Sequence, residues 1–256
     1  MKAVLFGSIG VLAETSELQR RAYNTAFARH DLDWHWNIAT YCRLLATAGG
    51  QRRIRTLAGG ALSELKIRQI HETKQDVFEA LLADGVTPRP GILQCVKLAK
   101  ASGLRLGFVT TTTPRTLAMI QTALSAHIDF SGFDVITSKT DVAMEKPDGE
   151  AYDVALRRLG LSAAEVIAFE DTVASQSSAH AAGLRCHLYA GEYAHAGSAP
   201  LQTRAPADTL AADLDAALMV DADRLMTGTA GQRRRRTVVC PDGHPDRSGG
   251  LLQPRG

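Results

Sequence analysis

The 256 residues include 45% hydrophobic side chains, enough for a substantial core, which excludes a chain disordered throughout and allows one large domain or a core with a smaller insert. The formal charge is +2, but the stretch from Gly231 onward is net +4 on its own, so the body lies near −2. The pI of 8.4 therefore reports the tail, not a basic nucleic-acid-binding domain.

Cys42, Cys95, Cys186 and Cys240 are scattered without paired spacing, which reads as free thiols in a reducing compartment. No signal-peptide pattern opens the chain and no apolar run approaches membrane length, so a soluble cytoplasmic protein is expected.

Lys2 to Phe6 is a short apolar run that stops at Gly7-Ser8-Ile9-Gly10 and resumes as Val11-Leu12-Ala13-Glu14-Thr15. A buried strand running into a glycine-punctuated loop is where α/β proteins place their chemistry. Helical spacing follows from Ser16 to Arg29, with Leu18, Ala22, Ala26 and Phe27 on one face. Polar, helical material continues to about Gly85, broken at Gly49-Gly50 and Gly59-Gly60, with no convincing β-run. Trp34-His35-Trp36 reads as packing within this block, His35 included.

A turn at Thr87 to Gly91 leads into a helix from Ile92 to Ser102, then a buried strand from Leu104 to Val109. Further strands are expected at Phe133 to Thr137, Val166 to Phe169 and Arg185 to Tyr189. Helices are expected after Lys146-Pro147, with proline at the first helical position, and from Ser175 to Ala182. Strands and helices alternating at these lengths predict an α/β fold with a parallel sheet covered on both faces. A last amphipathic helix is expected from about Ala207 to Leu218. From about Thr227 the composition turns to Gly, Arg and Pro, which predicts a disordered tail. Cys240 and His244 are too few for a metal site. The run Arg233 to Arg236 is the one stretch suited to nucleic acid or acidic lipid, and a solvated tail is the favoured reading.

Three stretches, two of them at strand ends, carry groups with chemical uses. Thr110-Thr111-Thr112-Thr113 follows a strand, where hydroxyls and helix-start amides can bind a phosphate oxygen, although threonines also favour strand ends and caps. Lys146 stands in Glu145-Lys146-Pro147-Asp148-Gly149. Glu170 and Asp171 follow Val166-Ile167-Ala168-Phe169, and adjacent carboxylates there are costly unless a cation or several donors face them.

The order of these motifs resembles the haloacid dehalogenase (HAD) superfamily, within it the CbbY-like and phosphoglycolate-phosphatase-like proteins, over about Met1 to Leu218. The resemblance implies a Rossmann-like core at 1–15 and 86–226, an inserted α-helical cap at 16–85, and the tail at 227–256. It also implies that Thr110, Thr111 and Lys146 bind phosphate, that Glu170 and Asp171 hold Mg2+, and that Gly50, Gln51 and Arg53 of the cap contact substrate. Gln51 stands where the family has lysine, with Arg52 as a replacement charge. Gln19 stands where relatives often have histidine, and Ser175 where many have glycine.

In the family the first loop reads Phe-Asp-x-Asp-Gly, its aspartates acting as nucleophile and general acid/base. Gly7 and Ile9 occupy those places here. Ser8 and Glu14 are the substitutes left in the loop, and no base adjoins Ser8. With Glu170, Asp171 and Lys146 summing to −1, the demand for Mg2+ is weakened or lost. The leading expectation is a pseudoenzyme that binds a phosphorylated small molecule or a protein partner. The alternative is an active Mg-dependent hydrolase of a small phosphorylated metabolite, working by a non-standard mechanism.

Overall fold

The computed structural model describes residues 1–45, 49–191, 193 and 214. The expected last helix (apart from Leu214), the tail and the Cys240/His244 pair lie outside the described residues. Five strands form one parallel sheet in the order β3-β2-β1-β4-β5: β1 Ala3–Phe6, β2 Arg105–Val109, β3 Val135–Thr137, β4 Val166–Glu170 and β5 Arg185–Leu188. In the central strand β1 and its neighbour β4 every residue is buried, because helices cover both faces.

Alternation along β1 divides the core. Val4 and Phe6 join Phe108, Ile120 and Phe169 on one face, while Ala3 and Leu5 join Val109, Tyr152, Leu156 and Ala168 on the other. The register sets Phe6 beside both Phe108 and Phe169, so the chain leaves β1, β2 and β4 at neighbouring points on one sheet edge.

The loop after β1 folds into one helical turn, α1 (Ile9–Leu12). The helices α2 (Ser16–Arg29), α3 (Ile38–Leu44), α4 (Gly50–Ala58) and α5 (Glu64–Leu82) follow. These helices and the α2–α3 connection share a separate apolar cluster of Tyr23, Phe27, Trp36, Tyr41, Ile54, Ile67 and Ile70. Trp36 is buried among Tyr23, Phe27 and Tyr41. His35 is exposed and takes no part in that packing, because the extended chain there turns alternate side chains outward. Gly59 caps α4 in the left-handed conformation, and Gly49 precedes the helix with φ 87°.

The remaining helices are α6 (Ile92–Ala101), α7 (Pro114–Leu124), α8 (Glu150–Leu159) and α9 (Val173–Ala181). Pro147 does not open a helix. Asp148 N donates to Glu145 O and the Asp148 carboxylate accepts from Glu150 N, so a turn comes first and α8 begins at Glu150. Among the described residues no helix is long and apolar enough to cross a membrane.

Candidate functional site

A cleft of about 1400 Å³ lies between the sheet edge and the α2–α5 block. Its walls bring together Ser8, Thr110, Thr111, Lys146 and Asp171 from the sheet side with Gly50, Gln51 and Arg53 from α4. Glu170 is fully enclosed beneath that wall, and Glu14 accepts from Ser16 N at 3.0 Å at the start of α2, off the cleft surface.

Glu170 ends β4 and turns its carboxylate toward β1. Tyr152 donates its hydroxyl to Oε1 at 2.6 Å, Lys146 Nζ donates to the same oxygen, and Ser8 N donates to Oε2 at 3.0 Å. Lys146 also donates to Val109 O at 2.8 Å. This group of buried polar side chains satisfies itself without solvent, as a low-dielectric interior requires. Burial and the neighbouring carboxylate push the Tyr152 hydroxyl well above the ordinary phenol range, so it stays a donor.

Gly7 makes this arrangement possible. A Cβ on residue 7 would overlap the Glu170 carboxylate group itself. Any side chain there requires Glu170 to leave three donors.

Asp171, the next residue, has a different environment. Its Oδ1 is buried with no hydrogen-bond partner, and its Oδ2 fills the space a Cβ on Gly10 would take. Burial first, and the charge of Glu170 second, raise its carboxyl far above the usual carboxylate range. No group of three or more His, Cys, Asp or Glu side chains that could hold a metal gathers among the described residues. Asp171 keeps one carboxylate oxygen without a hydrogen-bond partner, whereas Mg2+ asks for an octahedron of oxygens.

Thr110 is held by Thr137, whose hydroxyl accepts from Thr110 N at 3.0 Å and donates to Thr110 O at 2.9 Å. The Thr110 hydroxyl accepts from Thr112 N at 3.1 Å, and Thr113 caps α7 by accepting from Thr116 N at 3.2 Å. Ser8 meets Ser175 hydroxyl to hydroxyl at 3.1 Å, so this serine of α9 is a direct neighbour of the first loop. Arg89 donates at 2.7 Å to the carbonyls of Gly10, Tyr189 and Ala190, and pins that loop to the end of β5.

Residues 1–183 match the family model for haloacid dehalogenase-like hydrolases. The protein CbbY of Rhodobacter capsulatus is 40% identical over 197 residues, covering 75% of this chain and 87% of the relative. The chain belongs to the haloacid dehalogenase-like hydrolases. Within that family it is CbbY-like. The crystal structure of CbbY from Rhodobacter sphaeroides in complex with phosphate superposes with a TM-score of 0.72 at 35% identity, covering 82% of this chain and 96% of that one. A point variant of the same protein in complex with xylulose-(1,5)-bisphosphate gives 0.72 at 36% identity, covering 81% and 96%.

In this HAD-like protein the cleft also contains groups that motif reading missed. Lys74 is 3% exposed, and its ammonium carbon chain lies on the buried face of α5 one turn from Ile70 and Phe78. The i, i+4 spacing of those three residues was the available signal. Lys74 Nζ donates to Gln19 Oε1 and, at 2.9 Å, to Gln75 Oε1. Burial, aided by the charge of Arg53, lowers its pKa to about 7 from an ordinary 10.5. Between these values the unfolded chain binds the extra proton, so stability should rise with pH from about 7 to about 10.5. Against Lys74→Met in thermal melts, the natural protein should gain on the order of a few kcal/mol across that window.

Gly50 has a local role of its own. A Cβ there would meet His71 Nε2 at 2.5 Å and the Tyr23 hydroxyl at 2.6 Å. Gly50→Ala is therefore expected to cost about 1–3 kcal/mol by overpacking, read as a thermal midpoint several degrees lower.

Proposed function

We propose that this protein binds a phosphorylated sugar in the cleft without forming an aspartyl-phosphate, with the α2–α5 block acting as the cap over a core at 1–15 and 86–226. The observation that carries this reading is the occupation of the side-chain space at Gly7 by the Glu170 carboxylate. Covalent phosphoryl transfer needs a carboxylate facing the ligand, and a second group to move the proton is worth ~10²–10⁴-fold. Gly7 and Ile9, in the positions the family gives to its two aspartates, supply neither. Glu170 is enclosed and bound by three donors, so it replaces the missing side chain in space and not in chemistry.

Anion binding draws on groups that face the cleft: the Thr110 and Thr111 hydroxyls and the amides at the start of α7. Arg52 and Arg53 offer positive charge at the opposite wall. Since phosphate and a sugar bisphosphate occupy the R. sphaeroides relative, a ligand with phosphate at one or both ends is the fitting class. Magnesium binding is weakened, because Lys146 already neutralises Glu170 and leaves Asp171 as a single ligand. When bound in such a site, magnesium would supply charge neutralisation between carboxylates and phosphate.

Calorimetric titration of inorganic phosphate into protein held in a metal chelator tests the reading. Saturable heat is expected, and it should fall at least about tenfold in affinity on Arg53→Ala, the loss of one charge-assisted contact. No heat without metal would overturn it.

A further inference from the structure

Two lysines are buried at the cleft, and their surroundings differ. Lys146 is ion-paired with Glu170. Lys74 has no carboxylate within ion-pair distance among the described residues. Its nitrogen meets two amide oxygens, from Gln19 and Gln75, and lies 4.6 Å from the Phe78 ring centroid and 5.1 Å from that of Tyr23. A neutral amine has two N–H bonds and one lone pair, and two amide oxygens match the two N–H bonds. Lys74 nevertheless lines the cleft. An amine desolvated by aromatic rings beside a second cation, here Arg53, is the setting in which lysine becomes a nucleophile toward carbonyl carbon.

We propose that Lys74 captures the open-chain aldehyde or ketone carbon of a sugar phosphate as an imine. The Nζ lone pair forms the C–N bond, and the carbonyl oxygen leaves as water with the two protons of the nitrogen. No oxidant or reductant is consumed. The Gln19 and Gln75 side chains orient the amine before attack and release it as its protons depart. Their amide oxygens carry no charge that would hold it as ammonium. The proposal rests on the reading of the cleft as a phosphosugar pocket, and it assigns the carbonyl end of that ligand to the α5 wall.

The test uses the full chain at pH 7, incubated separately with glyceraldehyde 3-phosphate and with glycolaldehyde, which has no phosphate, then reduced with cyanoborohydride and mapped by peptide mass spectrometry. Lys74 is expected to be labelled at least about tenfold faster than the exposed Lys2, Lys97, Lys100 and Lys139. Gln19→Glu, which sets a carboxylate against the amine, should suppress labelling while Lys74 remains. Lys74→Met should abolish the adduct with the fold confirmed by its melting transition. Labelling by both aldehydes supports both readings. Labelling by glycolaldehyde alone keeps the amine assignment and removes the phosphosugar reading. Phosphate binding by calorimetry with labelling spread over surface lysines overturns the imine proposal and leaves the pocket reading standing.

Discussion

Glu170→Ala is expected to destabilise the protein by about 3–5 kcal/mol, the usual cost of removing one partner from a buried ion pair. For a folded domain of about 150–250 residues this corresponds to a fall in thermal midpoint of roughly 6–20 °C. The reason is specific. The substitution leaves Lys146 charged and buried with Val109 O as its remaining acceptor, and takes the acceptor from the Tyr152 hydroxyl and from Ser8 N. Lys146→Met alone should cost a similar amount by exposing the opposite charge. Lys146→Met combined with Glu170→Gln should cost clearly less than the two single changes together, because no charge is left unpaired and the amide oxygen still accepts from one of the two donors, Tyr152 or Ser8 N. Additive losses, or single variants within about 0.5 kcal/mol of the natural protein, would show that the pair is not the anchor described.

Gly7→Asp with Ile9→Asp is expected to produce the largest change in activity. Without metal the double variant should be less stable than the natural protein, because a side chain on residue 7 evicts the Glu170 carboxylate and gathers carboxylates around one lysine. Four carboxylates and Lys146 sum to −3, a charge that a dication is suited to offset. Magnesium should therefore raise the melting midpoint of the variant by several degrees while leaving the natural protein nearly unmoved. Phosphate release from a sugar bisphosphate should appear with it, at least about 10²-fold above the natural chain, since nucleophile and proton donor return together. A variant that folds, gains stability from magnesium and still releases no phosphate would mean that the cleft itself no longer presents its ligand to the first loop.

The sheet and its edge could be read from the chain because their signals are local. Apolar runs such as Val166 to Phe169 specify buried parallel strands, and the groups at their ends meet on one edge. Helix α2 lies over the predicted Ser16 to Arg29 for the same reason: its apolar residues recur at helical spacing. Boundaries elsewhere moved by one to three residues, most at Pro147, where a turn held by the Asp148 carboxylate takes the place of a first helical residue.

Legibility ended where the outcome depended on one residue's space being used by another. That Gly7 is small is plain in the sequence. That Glu170, 163 positions later, would turn into that space and take the Tyr152 hydroxyl with it depends on the tertiary register of β1, β4 and α8. Lys74 was missed for another reason. Its buried position was written in the spacing of Ile70, Lys74 and Phe78, but a lysine in such a stripe is usually read as an interruption of it.

The most direct measurement is phosphate release from xylulose-1,5-bisphosphate, the ligand of the R. sphaeroides relative, by the natural chain with magnesium, followed alongside calorimetric binding of the same compound. Saturable binding with release no faster than in buffer is the predicted result. Release at an enzyme-like rate of about 1 s⁻¹ or more, abolished by Asp171→Ala, would contradict the account and return the catalytic question to Ser8 and Glu14.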